Sequence, residues 1–245
     1  MCIRDSDVKI AGAASIVTIP TGYEAKAKSV SVSMNSQLTN NGELTINTLN
    51  TNDGIYNSST IINGGIILIS NTGGAGTTGQ GINNLGSFVN NGSIYFGPDI
   101  RETGIWNRTG GTFVNNFELT FSGSINVCGI DVIAGTFNNN GLIDNKANTG
   151  NAFILVSSSG QFFNNRCSII NETTSEQITA THLVNSGIIR LKTSLPTTIT
   201  SNSGVIVNPN GSVISGTNTG RFITNANTIV WTGCGQNGST SNVAN

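Results

Sequence analysis

The sequence predicts an all-β fold, a parallel β-helix in which each turn of chain stacks on the one before. A phrase recurs at nearly constant spacing. It reads Gly86-Ser-Phe-Val-Asn-Asn-Gly-Ser-Ile, Gly111-Thr-Phe-Val-Asn-Asn-Phe-Glu-Leu, Gly135-Thr-Phe-Asn-Asn-Asn-Gly-Leu-Ile and Gly160-Gln-Phe-Phe-Asn-Asn-Arg, with glycines 25, 24 and 25 residues apart. A fixed period of this length marks a solenoid built from one supersecondary unit per repeat. After each phrase apolar residues return at every second position, as in Leu44 and Ile46, Ile94 and Phe96, Leu119 and Phe121, and Ile189 and Leu191. Such alternation belongs to half-buried strands. No segment holds a helical apolar period, and Gly and β-branched residues are weak helix formers.

Aligned on the first apolar residue of the phrase, the rungs begin at Leu38, Ile61, Phe88, Phe113, Phe137, Phe162, Leu183, Ile206 and Phe222. Two positions later stands Asn in eight of them: Asn40, Asn63, Asn90, Asn115, Asn139, Asn164, Asn185 and Asn208, with Thr224 in the ninth. Asn tolerates the left-handed conformation and suits a tight turn. Stacked on itself, its amide also offers a donor and an acceptor for a ladder along the axis. Gly follows two residues after the Asn at Gly42, Gly65, Gly92, Gly141 and Gly187, which fits a second special backbone position. Each rung is then a strand, an Asn-containing turn, a second strand and a Gly/Ser/Thr-rich return. The expectation is a single-stranded, right-handed parallel β-helix of about nine rungs with an Asn ladder at one turn. A β-sandwich would also give short strands with frequent turns. It does not explain one turn residue returning at one offset.

The solenoid is expected over residues 7–232. Its first rung is irregular and includes Ala14–Pro20 and Ser29–Met34. Gly233–Asn245 is rich in Gly, Ser and Asn and reads as a loop or linker. Met1-Cys2-Ile3-Arg4-Asp5-Ser6 matches translated sequencing-adapter read-through, so residues 1–6 are expected to be non-native and the chain a fragment of a larger protein.

Charged residues are 9% of the chain, against a typical ~25%. The net charge is -1 with no basic run, which gives no electrostatic footprint for nucleic acid. No apolar run approaches the ~18 residues of a membrane span. Cys128, Cys167 and Cys234 lack metal-site spacing and read as small buried residues, with one disulfide plus one free thiol as the alternative. His182 is the single His and has no partner Cys or His for a metal or a base. Asp53-Gly54 lacks the repeat of a calcium solenoid. The Gly-rich stretch from Gly73 lacks the Lys of a phosphate loop. Asn57-Ser-Ser and Asn107-Arg-Thr resemble glycosylation sequons but are expected by chance in so Asn- and Ser-rich a chain. No cofactor or metal is expected.

The densest polar cluster is Asp99, Arg101, Glu102 and Arg108, with Trp106 inside it. Two acids, two arginines and an aromatic suit a sugar, with Trp106 as a stacking platform. The plainer reading is a solvated loop with weak ion pairs. Glycoside hydrolysis needs two carboxylates roughly 5–9.5 Å apart, and the acids of successive rungs do not share offsets that would align them.

Thr39-Asn-Asn-Gly-Glu-Leu-Thr-Ile and Val114-Asn-Asn-Phe-Glu-Leu-Thr-Phe resemble the Asn-x-Gly repeats of large secreted bacterial β-helix proteins. These are filamentous-haemagglutinin-like adhesins, autotransporter passengers and Bacteroidetes-type surface proteins. Val17-Thr-Ile-Pro-Thr-Gly looks like the lead-in to such repeats in the last group. The resemblance spans roughly residues 15 to 232. It implies a non-enzymatic structural and adhesive rod, extracellular or at the cell surface, with glycans or other cell-surface molecules as partners. It carries over no catalytic residue. The alternative is a carbohydrate-active β-helix that binds or cleaves polysaccharide through the loop from Gly97 to Gly110.

Overall fold

In the computed structural model the chain winds as a parallel β-solenoid; the structure describes residues 6–12, 14–48, 53–72, 79–172, 174, 177–191, 197–207 and 212–223. Each full turn gives one strand to each of three parallel sheets, with ten, nine and ten strands among the described residues. Thr103–Asn107, Thr112–Asn115 and Glu118–Ile125 form one turn, and Cys128–Val132, Thr136–Asn139 and Leu142–Thr149 form the next. The turns pair in register: Phe113 on Phe137, Asn115 on Asn139 and Leu119 on Ile143. The linker expected at 233–245 and residues 1–5 of the expected adapter segment lie outside the described residues.

The phrase and the alternation after it form the second and third sheets, as the sequence predicts. The return between them is not a loop. It carries the strand of the first sheet, here Thr103–Asn107. Ala14–Pro20 and Ser29–Met34 likewise fall in two successive turns, as strands Ile16–Ile19 and Ser29–Val32.

The core is a set of columns, each filled by one position of the repeat. Leu38, Ile61, Phe88, Phe113, Phe137, Phe162 and Leu183 are buried in one column of the second sheet. The four Phe rings stack at centroid distances of 4.7, 4.9 and 4.7 Å. Each such pair contributes roughly 0.5–1.5 kcal/mol beyond its buried area.

Two residues on, the predicted Asn ladder runs down the interior. Asn40 Nδ2 donates to Asn63 Oδ1 at 2.8 Å, and the same bond repeats from Asn63 to Asn90, Asn115, Asn139, Asn164 and Asn185 at 2.7 or 2.8 Å. These residues lie at the ends of strands, and none of them has a positive φ. The amide, not a left-handed turn, is therefore what the position requires. The ladder continues through Asn202 at 2.8 Å and Asn218 at 3.2 Å. Asn208, expected as its eighth member, lies outside the described residues. Its presumed anchor Ile206 pairs with Ile189 and Phe222 in the third sheet. The alignment slipped because the residue two before Asn202 is Thr200, not an apolar residue.

A second interior ladder, Asn57 to Asn84 to Asn107, stands at the end of the first-sheet strands, with bonds of 2.8 and 2.7 Å. Asn57 and Asn107, which open the two sequon-like triplets, are thus fully buried. The second Asn of the phrase explains itself on the outside. Asn116 donates to Asn91, Asn140 to Asn116, and Asn165 to Asn140, at 2.7 to 2.8 Å. This outer row donates toward the start of the chain and the inner row toward its end, so their amide dipoles oppose.

The Gly two residues after the ladder Asn has an ordinary φ. It is needed for close approach, since a Cβ on Gly92 would stand 2.0 Å from Gly65 O. A separate glycine column runs through Gly54, Gly81, Gly104 and Gly129; Gly81 and Gly104 make room for the third-sheet rings of Phe96 and Phe121, Gly54 for Ile69, and Gly129 for Phe153 of the next first-sheet strand. A Cβ on Gly104 would lie 2.6 Å from Gly129 O and 2.7 Å from the Phe121 ring. In the next turn the column is taken by Phe153, which packs edge-on against Phe121 at 5.3 Å. There the third-sheet position passes from Phe121 to Asn145 and Glu172, so bulk moves across the core without being lost.

Asn115→Leu should destabilise the chain by about 1–3 kcal/mol in urea melts, because Asn90 and Asn139 each lose a buried partner. Asn116→Ala on the outer row should cost less than about 0.5 kcal/mol. Equal costs would place the two rows in equivalent environments. Gly104→Ala should cost about 1–3 kcal/mol through overpacking, and Phe121→Leu in the same chain should recover part of it. An additive double variant would show that the ring is not the obstacle.

Candidate functional site

The first sheet turns its outer face to solvent between the ladder corner and the return from the third sheet. One outward position of successive strands holds Ser31, Tyr56, Asn83, Trp106, Asp131 and Leu155, each in register with the next. Strand alternation puts these side chains outside while Ile55, Ile82, Ile105 and Ile130 fill the core. Trp106, singled out by sequence, is therefore not in a loop but midway along this row.

The predicted cluster is only partly assembled. The Arg108 guanidinium lies 4.3 Å from the centroid of the Trp106 ring, a cation–π contact across the outward side of one strand. Glu102 Oε2 accepts a hydrogen bond from Gln80 Nε2 in the preceding turn. Asp99 sits apart at the corner between the third and first sheets. It has a φ of 63° and accepts from Ser124 Oγ at 3.4 Å. Arg101 is exposed beside Ile100, which turns into the core.

Sequence reasoning missed the partners one turn away. Gln80 N and Asn83 Nδ2 donate to the two oxygens of Asp53 at 2.9 and 2.8 Å. Gln80 Oε1 accepts from Thr103 N at 3.0 Å. Asp53, Glu102, Gln80 and Asn83 thus form one bonded group beside Trp106. Asn83 is only 6% exposed, and its Oδ1 and Asp131 Oδ1 are shielded and without a hydrogen-bond partner. A signal for this row existed. Tyr56, Trp106 and Asp131 each fall 18 residues after the anchor of the rung before, Leu38, Phe88 and Phe113. Asn83 falls 22 after Ile61 because that return is longer.

Burial raises the Asp131 carboxyl from its ordinary 3.8 to about 6. The Cys128 thiol in the same strand is pushed up to about 12, by burial first and then by the nearby Asp131 charge. Cys128 is a free, buried and unreactive thiol. Cys167 is disulfide-bonded. Both are buried, as the sequence predicts, and the bridge at Cys167 beside the free Cys128 fits the alternative of one disulfide plus one free thiol. His182 touches Phe163 edge-on, with ring centroids 6.0 Å apart.

Two other features are less chemical. A cavity of about 490 Å³ at the first turn is lined by Val8, Ile19, Tyr23, Ala25, Leu38 and Leu44 among others. These are largely the same inward columns as the core. On the third sheet, Glu118 accepts from Ser93, Tyr95 and Thr120 at 3.0 to 3.2 Å. Asp144 pairs with Lys146 at 2.7 Å and accepts from Asn171 at 2.7 Å. That face satisfies its own carboxylates.

No protein-family model matches the chain, and neither a curated protein nor a solved structure matches it significantly.

The Asp131 shift has a pH consequence. Its folded value lies above its unfolded one, so between about 4 and about 6 the folded chain holds the extra proton. Stability therefore contains a contribution that is complete below the unfolded value and lost as pH rises through the folded one. Urea midpoints of the native chain should fall over that interval, and Asp131→Asn should flatten the fall. An unchanged slope in the variant would mean that Asp131 titrates normally.

Proposed function

We propose that the chain is a segment of a non-enzymatic extracellular rod with structural and adhesive roles at a bacterial surface. The observation that carries this reading is the in-register stack. It spends its buried polar groups on ladders along the axis, which suits a stiff spacer whose faces are long and flat. The resemblance of the Asn-Asn-Gly phrases to secreted β-helix adhesins points the same way. Glycans or other cell-surface molecules are the partners such a rod would meet, and no nucleic acid or membrane insertion is called for.

A carbohydrate-cleaving role is the second reading, favoured by the raised pKa of Asp131 beside Trp106. Two measurements separate the readings. Antibody raised against the chain should label intact cells of the source organism, and labelling only after lysis would reject the surface rod. Incubation with a panel of plant and bacterial polysaccharides should release no reducing ends and no unsaturated products. Steady release that Asp131→Asn abolishes would replace the rod with an enzyme.

A further inference from the structure

We propose that the outer face of the first sheet, from Tyr56 to Asp131, binds an uncharged polysaccharide laid along the solenoid axis. The site goes beyond the rod reading by naming what the rod would hold.

The first support is geometric. Tyr56 and Trp106 occupy one outward column two turns apart, with Asn83 between them and Asp131 beyond. Two inter-strand steps separate the rings by roughly 10 Å, so a linear chain running along the axis meets both aromatic groups in turn. Both side chains are half-buried, fixed at the base and available at the edge. Arg108 over Trp106 holds the larger ring from one side. Rings of this kind offer a large apolar surface at low conformational cost, which suits the C–H faces of pyranose sugars.

The second support is the hydrogen-bond ledger of the same face. Its amide donors are already committed: Asn83 Nδ2 and Gln80 N to Asp53, and Gln80 Nε2 to Glu102. Among its buried amides, what is left over is acceptor capacity. Asn83 Oδ1 and Asp131 Oδ1, on the two turns that flank Trp106, have no partner. The Asn83 amide cannot be turned round to change this, because its nitrogen must face the Asp53 carboxylate, which only accepts. An unmet buried acceptor is destabilising, so a ligand that supplies donors there is favoured. Hydroxyl groups do so.

The third support is charge. Asp53, Glu102 and Asp131 line the face against the single guanidinium of Arg108 over the ring, so three negative charges face one positive. An anionic polymer would meet net negative charge, while an uncharged one meets acceptors and aromatic rings.

The test is affinity electrophoresis and calorimetry of the whole chain with soluble xylan, galactomannan and mixed-linkage β-glucan, with polygalacturonate as the anionic control. At least one neutral polymer should retard the chain, and polygalacturonate should not. Trp106→Ala should weaken binding tenfold or more, Tyr56→Ala several-fold, and Asn116→Ala on another face not at all. Where Trp106→Ala does not fold, hydrogen exchange of the unaltered chain decides. Bound neutral polymer should protect the strands at Ile55–Asn57, Ile82–Asn84 and Thr103–Asn107. No retardation by any neutral polymer, stronger binding of polygalacturonate, binding indifferent to both aromatic variants, or protection confined to another face would each overturn the proposal. Such a failure would leave surface labelling of the rod untouched, so the two conclusions stand or fall separately.

Discussion

Everything in this molecule depends on parallel pairing of each turn with the next in unshifted register. Once that pairing is set, a residue sits directly over its counterpart about 4.8 Å away, and every position must be compatible with a near copy of itself. Aliphatic residues and Phe meet that demand by stacking. Asn meets it by donating and accepting at once. A buried carboxylate or Lys stacked on its own kind would not. The 9% charge content is a consequence of this constraint as much as a sign of function.

The constraint also explains where the polar interior strains. A ladder that donates in one direction must leave an unmatched acceptor where it starts. That atom is Asn40 Oδ1, which has no partner because the preceding turn offers Ile19 at the ladder position. The first-sheet ladder ends differently. Asn107 faces Val132 in the next turn and keeps the backbone bond, to Thr136 O at 3.0 Å, that Asn57 and Asn84 also make to Ser87 O and Thr112 O. A column can therefore change chemistry where the backbone supplies the missing partner. The passage from the glycine column to Phe153, with Phe121 giving way to Asn145, is the apolar version of the same exchange.

The sequence made the second and third sheets legible because both lie within the repeated phrase, where the period is nearly constant. Anchors from Leu38 to Leu183 and ladder members from Asn40 to Asn185 stand where the phrase puts them. The first sheet was hidden for a physical reason. Its strands share only an inward aliphatic residue and a corner residue, as in Ile55-Tyr56-Asn57, Ile82-Asn83-Asn84 and Ile105-Trp106-Asn107. Their outward residue is free to vary because it stacks on nothing that must match it. The loops before them differ in length, so offsets drift. Trp106 and Arg108 could be picked out as chemically unusual, but Tyr56, Asn83 and Asp131 could not be joined to them without the register. Asp99 and Arg101 were grouped with Trp106 by nearness in sequence, although a corner of the solenoid divides them from it.

The freedom of that outward column makes the first sheet the chemically informative face. On the third sheet, carboxylates sit among groups that answer them: Glu118 among Ser93, Tyr95 and Thr120, and Asp144 between Lys146 and Asn171. Arg190 extends that chain by donating Nη1 to Asn171 at 3.2 Å, although its Nε has no partner. On the second sheet the outer Asn row satisfies itself. Among the described residues only the first sheet combines large rings with two acceptors left without donors, and neither feature helps the stack. A stiff rod gains nothing in the fold from an unpaired carboxylate oxygen beside a Trp, since pairing it or replacing it with an apolar residue would be more stable. Where a fold this regular departs from its own rule at adjacent positions of one column, recognition is the simplest physical reason for the departure.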